Sequence, residues 1–199
     1  MCAAYTHFYV DARRADEFTD KLATAAGSMT LGNGFDPATQ LGPLVTAEQV
    51  DRVDSYVRIG QDEGAQLVTG GTRGDGELAR GNVYRPTVFG GVTQDMRIAR
   101  EEIFGPVLSV LPYDDPDQLV ALANDTDYGL AAVIWTRDVR VANRLAQQVK
   151  AGTVYINMPP FLDAAAASGG MKASGLGREM GWEAIETFTE VKSIWTNLA

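Results

Sequence analysis

The stretch VLSVLPYDDPDQLVALANDTDYGLAAVIWTRDVRVANRLAQQVKAGTVYIN, residues 107–157, decides the fold. Its apolar runs at 107–111, 130–135 and 152–156 read as buried strands. Between them, Pro116 opens a helix that continues to about Asn124, and 139–149 carries helical periodicity. A β-α-β-α-β order of this kind favours a mostly parallel sheet covered by helices, with the three strands in one sheet.

Outward from there the alternation continues. Residues 6–10 predict a strand, and Asp16 is a plausible cap for a helix to about Ala26 that places Phe18 and Leu22 on one face. A loop from Leu31 reaches Thr46, which with Gln49 three residues later forms a capping-box pattern before a helix over 47–63 with Val50, Val53 and Val57 inward. Residues 65–69 read as a strand. Pro86 interrupts 83–90, which points to an edge or irregular strand. Residues 164–177 are rich in glycine and small side chains and read as a shaped loop. A short helix is expected from Gly177 or Arg178 to Glu186, then a last strand over 187–196. Neither face of that strand is cleanly apolar, so it is a candidate for pairing with something outside its own domain.

The composition narrows the function. A chain of 199 residues, 45% of them hydrophobic, can bury a real core. Twenty-six acidic against seventeen basic residues give a net charge of -9, which argues against nucleic acid and anionic membranes as partners. No apolar run has the length of a membrane span and no secretory leader pattern opens the chain, so a cytoplasmic setting is the simplest expectation. One cysteine and one histidine exclude a disulfide scaffold and give no support to a Cys- or His-ligated metal site. Cys2 is thus a nucleophile, an inert small hydrophobe, or an accident of where the chain begins.

Three segments carry candidate chemistry. Glu101-Glu-Ile-Phe-Gly-Pro106 sets two carboxylates and an aromatic ring against a rigid turn just before a strand, a junction where α/β proteins place ligands. The run 169–177 has four glycines in nine residues; it either brings amides to a ligand or permits a tight path, and it lacks the Gly-Lys-Ser/Thr ending of a P-loop. Asn157, ending a strand, orients a loop or a substrate, or is a turn asparagine bonded to its own backbone. His7 reads as structural.

Together these segments resemble the C-terminal part of the NAD(P)-dependent aldehyde dehydrogenases. The resemblance rests on Met1-Cys2, Gly42-Pro43-Leu44, Glu101 to Pro106, Ala151 to Asn157, Gly169 to Gly175 and Gly177-Arg-Glu179 in family order, and it spans virtually the whole chain. It implies a three-layer α/β catalytic domain over 1–186 with a mostly parallel sheet, and an oligomerisation strand over 187–199. It implies Cys2 as nucleophile and Glu179 as a second catalytic group relaying protons. Glu102 and Phe104 would hold the nicotinamide end of NAD or NADP, with Gln49 and Arg52 toward the far side of the cofactor. Asn157 and Ser168 would face the aldehyde substrate. Ala167-Ser168 replaces the family's usual Pro-Phe, which leaves the substrate opening undefined. The resemblance also implies a homo-oligomer, dimer or tetramer, for the full-length protein. The cofactor domain, general-base glutamate and oxyanion asparagine expected upstream of the cysteine have no counterpart here, so the chain is expected to be inactive alone. The competing expectation is a non-catalytic α/β remnant acting as a structural or interaction protein.

Overall fold

The computed structural model describes residues 4–199; Met1, Cys2 and Ala3 lie outside the described residues. The chain divides into two compact units, the first ending at Ala123 and the second running from Asn124.

In the first unit, β1 (His7–Asp11) leads without a loop into α1 (Ala12–Gly27). The cap is Asp11, whose carboxylate accepts from the backbone N–H of Arg13, and not the expected Asp16: the last strand residue serves as the helix's first acceptor, so the helix begins five positions earlier. Helix α2 (Ala47–Asp62) starts at Thr46 as expected, with the Thr46 hydroxyl accepting from the Gln49 N–H at 3.2 Å. The reciprocal half of the capping box is absent, because the Gln49 side chain goes elsewhere. β2 (Gln66–Thr69), β3 (Thr87–Gly90), the single turn α3 (Arg97–Arg100) and β4 (Val107–Tyr113) follow, and α4 (Leu119–Asn124) comes after Pro116.

The four strands form one sheet in the order β1-β4-β3-β2. β1, β4 and β3 are parallel, and β2 runs antiparallel to β3, so the sheet is mixed where a mostly parallel one was expected. β3 is an interior, fully buried strand and not the expected edge. Pro86 causes no interruption because it lies before the strand, leaving the ladder donors of Thr87–Gly90 intact. Side chains alternate between two cores. Phe8, Val10, Val88, Leu108 and Val110 pack with Phe18, Leu22 and Ala26 of α1. Tyr9, Phe89, Val107 and Leu111 pack with Val50, Val53, Tyr56 and Val57 of α2. Period-2 strands buried on both faces read as continuous apolar runs, and the two helices make three layers.

In the second unit, β6 (Ala131–Ile134) and β7 (Thr153–Ile156) pair in parallel, connected through α5 (Val139–Gln148), which Asp138 caps. β5 (Tyr128–Gly129) pairs antiparallel with β8 (Met171–Lys172). The strands expected at 130–135 and 152–156 therefore exist but belong to a different sheet from β4. The expected helix over 177–186 shrinks to α6 (Ala184–Thr187), and the expected strand over 187–196 is absent: 188–199 has no regular structure and is exposed. An extended segment with no neighbouring edge has no ladder to stabilise it.

Candidate functional site

The segment 101–106 lies between α3 and β4, over the N-terminal half of α2. Ile103 anchors it in the core, 7% exposed. Gly105 packs so closely on α2 that a Cβ there would sit 2.3 Å from Val53, so no other residue fits without a shift. Phe104 has a φ of 58°, a left-handed conformation costly for an aromatic residue. With Ile103 and Gly105 turned inward, Glu102 and Phe104 are left exposed, Phe104 by 51%.

The two adjacent glutamates differ completely. Glu101 accepts from Arg97 Nε at 2.8 Å and Nη2 at 3.0 Å, and from the Tyr56 hydroxyl at 2.6 Å. The Arg97 bonds, then the Tyr56 bond, hold its carboxyl down at about 2. Burial first, then the Glu101 bond, pushes the Tyr56 phenol up. The guanidinium groups of Arg52 and Arg97 lie 5.0 and 5.6 Å from the centre of the Tyr56 ring. Among the described residues the Glu102 carboxylate has no hydrogen bond or ion pair; only its backbone carbonyl is engaged, by Arg52. Gln49 Nε2 donates to the carbonyls of Ile103 at 3.0 Å and Phe104 at 2.8 Å. An uncommitted carboxylate beside an exposed aromatic ring can accept from vicinal hydroxyls while the ring meets a flat heterocycle, so the pair fits a ribose carrying a planar base.

The first unit thus gathers Gln49, Arg52, Glu102 and Phe104. Cys2 lies outside the described residues. Asn157, Ser168 and Glu179 belong to the second unit. Asn157 ends β7 at a φ of 55°, beside an open depression lined also by Trp135, Thr136 and Ile156. Ser168 and Glu179 are joined through their backbones, with N–H to O distances of 2.7 and 2.8 Å, and the Glu179 carboxylate is exposed. This bridge closes the glycine run, whose interior is filled by its own chain. Arg178 donates to the carbonyls of Gly170 and Gly177, Ser174 accepts from the Gly129 N–H, and Lys172 Nζ donates to the carbonyls of Asn124 and Thr126. The run provides a tight path rather than an open cradle of amides.

His7 is structural, as expected. Its Nε2 lies 3.1 Å from the Ile98 carbonyl and its Nδ1 3.0 Å from the Thr6 hydroxyl, an arrangement that fits a neutral ring donating to Ile98. Sequence reading missed Tyr56, which occupies an ordinary core position on α2, and Arg97, for which the four-residue spacing to Glu101 was the available signal. Among the described residues no group of His, Cys, Asp and Glu side chains could hold a metal ion, and no helix is long and apolar enough to cross a membrane.

Comparison with known proteins gives a consistent result. The family model described as "Aldehyde dehydrogenase family" matches residues 1–194. The betaine aldehyde dehydrogenase of Bacillus subtilis is 44% identical over 199 residues, covering 99% of this chain and 40% of its own length. The NAD+ complex of aldehyde dehydrogenase from Bacillus cereus superposes with a TM-score of 0.94 at 42% identity, over 100% of this chain and 40% of that one. Betaine aldehyde dehydrogenase from Staphylococcus aureus in complex with NAD+ gives 0.91 at 38% identity, over 94% and 38%. The chain spans about 40% of the length of the relatives it matches.

Proposed function

The chain belongs to the aldehyde dehydrogenase family, and from that premise we propose that its residues form the nicotinamide-side part of an enzyme that oxidises an aldehyde to a carboxylic acid with NAD or NADP. The observation that carries this is the Glu102–Phe104 pair: a carboxylate without a partner among the described residues, next to an exposed ring in a left-handed turn. Glu102 would accept from the nicotinamide ribose and Phe104 would pack by the ring, with Gln49 and Arg52 toward the far side of the cofactor. Two solved relatives in complex with NAD+ support this reading.

In the full-length protein the Cys2 thiolate adds to the aldehyde carbon, and the thiohemiacetal is oxidised to a thioester that water cleaves. When bound, the nicotinamide cofactor supplies the two-electron acceptor for that oxidation. The Cys2 amide is a donor for the carbonyl oxygen, Glu179 relays a proton, and Asn157 and Ser168 lie toward the substrate. The catalytic domain takes in 1–186, and 187–199 is the arm through which copies associate. That arm carries Val191 at 99% and Trp195 at 93% exposure.

For the 199 residues by themselves, the better-supported reading is a non-catalytic α/β module with an interaction arm. This reading is supported by the chain spanning about 40% of the length of the relatives it matches. One experiment tests both readings: NAD(P)-dependent oxidation of aliphatic and aromatic aldehydes by the isolated chain and by the full-length protein. The isolated chain should give no turnover. The full-length protein should turn over and lose at least about 1000-fold on Cys2→Ser. Robust turnover by the isolated chain sinks the module reading, and a full-length protein inert toward every aldehyde sinks the enzyme reading.

A further inference from the structure

The loop between α1 and α2 takes no part in the candidate site, and its tip carries Asn33-Gly34, the one Asn-Gly pair in the chain. Its base is closed: the Thr30 carbonyl accepts from the N–H groups of Gln40 at 2.8 Å and Leu41 at 3.2 Å, and the Gly32 N–H donates to the Leu41 carbonyl at 3.3 Å. Beyond that base Asn33, Gly34 and Phe35 are exposed, Phe35 by 97%. Asn33 is folded back on its own backbone. Its Oδ1 accepts from the Phe35 N–H at 3.1 Å and its carbonyl from the Asp36 N–H at 3.0 Å, an Asx turn inside a β-turn. The Gly34 nitrogen belongs to the ring of atoms that the first of these bonds closes. Among the described residues neither the Gly34 N–H nor Asn33 Nδ2 has a hydrogen-bond partner, and a Cβ at Gly34 would meet nothing within 4 Å.

We propose that Asn33 is a site of spontaneous covalent modification, at which the Gly34 backbone nitrogen attacks the Asn33 side-chain amide and the chain converts to aspartyl and isoaspartyl forms. The Gly34 nitrogen gives its proton to hydroxide and bonds to Cγ; the Cγ–Nδ2 bond breaks, and Nδ2 takes a proton from water and leaves as ammonia, so that a succinimide ring remains. Water then opens the ring at either carbonyl. The net reaction consumes one water, releases ammonia and replaces a neutral amide by a carboxylate, with no change of oxidation state. Glycine leaves the attacking nitrogen unhindered. The Asx turn keeps Cγ close to it, and the Phe35 N–H is aimed at the oxygen on which negative charge develops. Asn124 and Asn157 have none of this: their amide atoms are committed to backbone groups, and neither precedes a glycine. The isoaspartyl form routes the backbone through Cβ and cannot keep the 33–36 turn, while the closed base confines the change to the tip. Each conversion makes the chain one charge more negative than its -9.

The test incubates the folded 199-residue chain over days at pH 8 and 37 °C beside a synthetic peptide of residues 28–41. Tryptic mass spectrometry, ammonia release and labelling by an isoaspartyl carboxyl methyltransferase with S-adenosylmethionine are the readouts. The tryptic peptide 22–52, in which Asn33 is the sole asparagine, should gain the mass difference between an amide and a carboxyl, take the methyl label, and do so at least as fast as the synthetic peptide. Gly34→Ala and Asn33→Gln, with melting temperatures within a few degrees of wild type, should convert at least about 10-fold more slowly. An unaltered 22–52, conversion at another asparagine instead, or label confined to Asp75-Gly76 in the peptide 74–80 overturns the proposal. So does a folded chain slower than the synthetic peptide, since the turn then shields the amide, and so does a Gly34→Ala variant that converts at the wild-type rate. None of these outcomes depends on whether Glu102 and Phe104 contact a cofactor.

Discussion

Asn157 and Thr136 are joined by a reciprocal pair of hydrogen bonds. The Thr136 N–H donates to Asn157 Oδ1 at 2.9 Å, and Asn157 Nδ2 donates to the Thr136 carbonyl at 2.8 Å. The side-chain amide thereby extends the β6–β7 pairing by one residue beyond the strand ends, and its donor and acceptor atoms are both used. Asparagine also tolerates the φ of 55° found there. Asn157→Ala should therefore cost about 1–2 kcal/mol, from the lost bonds and the left-handed backbone together. Asn157→Gly, which relieves only the backbone, should cost less. Midpoints of urea unfolding measure both, and equal stability of Asn157→Ala and wild type would contradict the role.

Acid should loosen the brace behind the Glu102 turn. The Glu101 carboxyl sits at about 2 against an ordinary 4.5, held down by Arg97 and then Tyr56. A depressed carboxyl contributes stability that is fully present above 4.5 and is lost as pH falls toward 2. The pair is partly exposed, so screening reduces the contribution to less than about 1 kcal/mol. Glu101→Gln should flatten the stability profile between pH 4.5 and 2, and Tyr56→Phe should do so in part. An unaltered acid slope in Glu101→Gln counts against the brace.

His7 should produce a second, separate pH dependence. Burial lowers its pKa below 6.5, partly offset by the bond to the Ile98 carbonyl. The unfolded chain then binds the proton more readily than the folded one, so stability is complete above pH 6.5 and declines as pH falls below it. As the chain has one histidine, thermal melts of wild type and His7→Gln at pH 7.5, 6.5 and 5.5 isolate the effect. The decline should be present in wild type and reduced in the variant.

A methyl group at Gly152 should be among the most damaging changes in the second unit. A Cβ there would lie 1.6 Å from the Gly169 carbonyl oxygen, a backbone atom that cannot turn aside. Gly152→Ala should cost more than about 3 kcal/mol or prevent the unit from folding. Gly34→Ala, at an exposed position with nothing within 4 Å of the new methyl, is the control and should be near neutral in a thermal melt.

Much of the architecture was legible in the chain because it rests on local periodicity. The i, i+3, i+7 spacing of Val50, Val53 and Val57 and the Thr46 cap placed α2 to within a residue or two, and the apolar run at 107–111 marked β4. The Glu101-to-Pro106 segment was also legible as a candidate site, since residue type and turn chemistry are sequence properties. Strand partnership was not. β3 became central, β2 antiparallel, and β6 and β7 a sheet of their own, because pairing is decided between segments far apart in sequence. The last strand failed to appear because an edge forms only where a neighbour offers a ladder. Two adjacent glutamates, identical as letters, were separated only by tertiary structure: Arg97 and Tyr56 converge on Glu101 and leave Glu102 uncommitted. The pattern of residues determined most of the helices and strands and marked the candidate site. What each polar atom in those segments is free to do was decided by burial and by partners as far as 113 residues away, because a side chain's hydrogen-bonding capacity is finite and the fold allocates it.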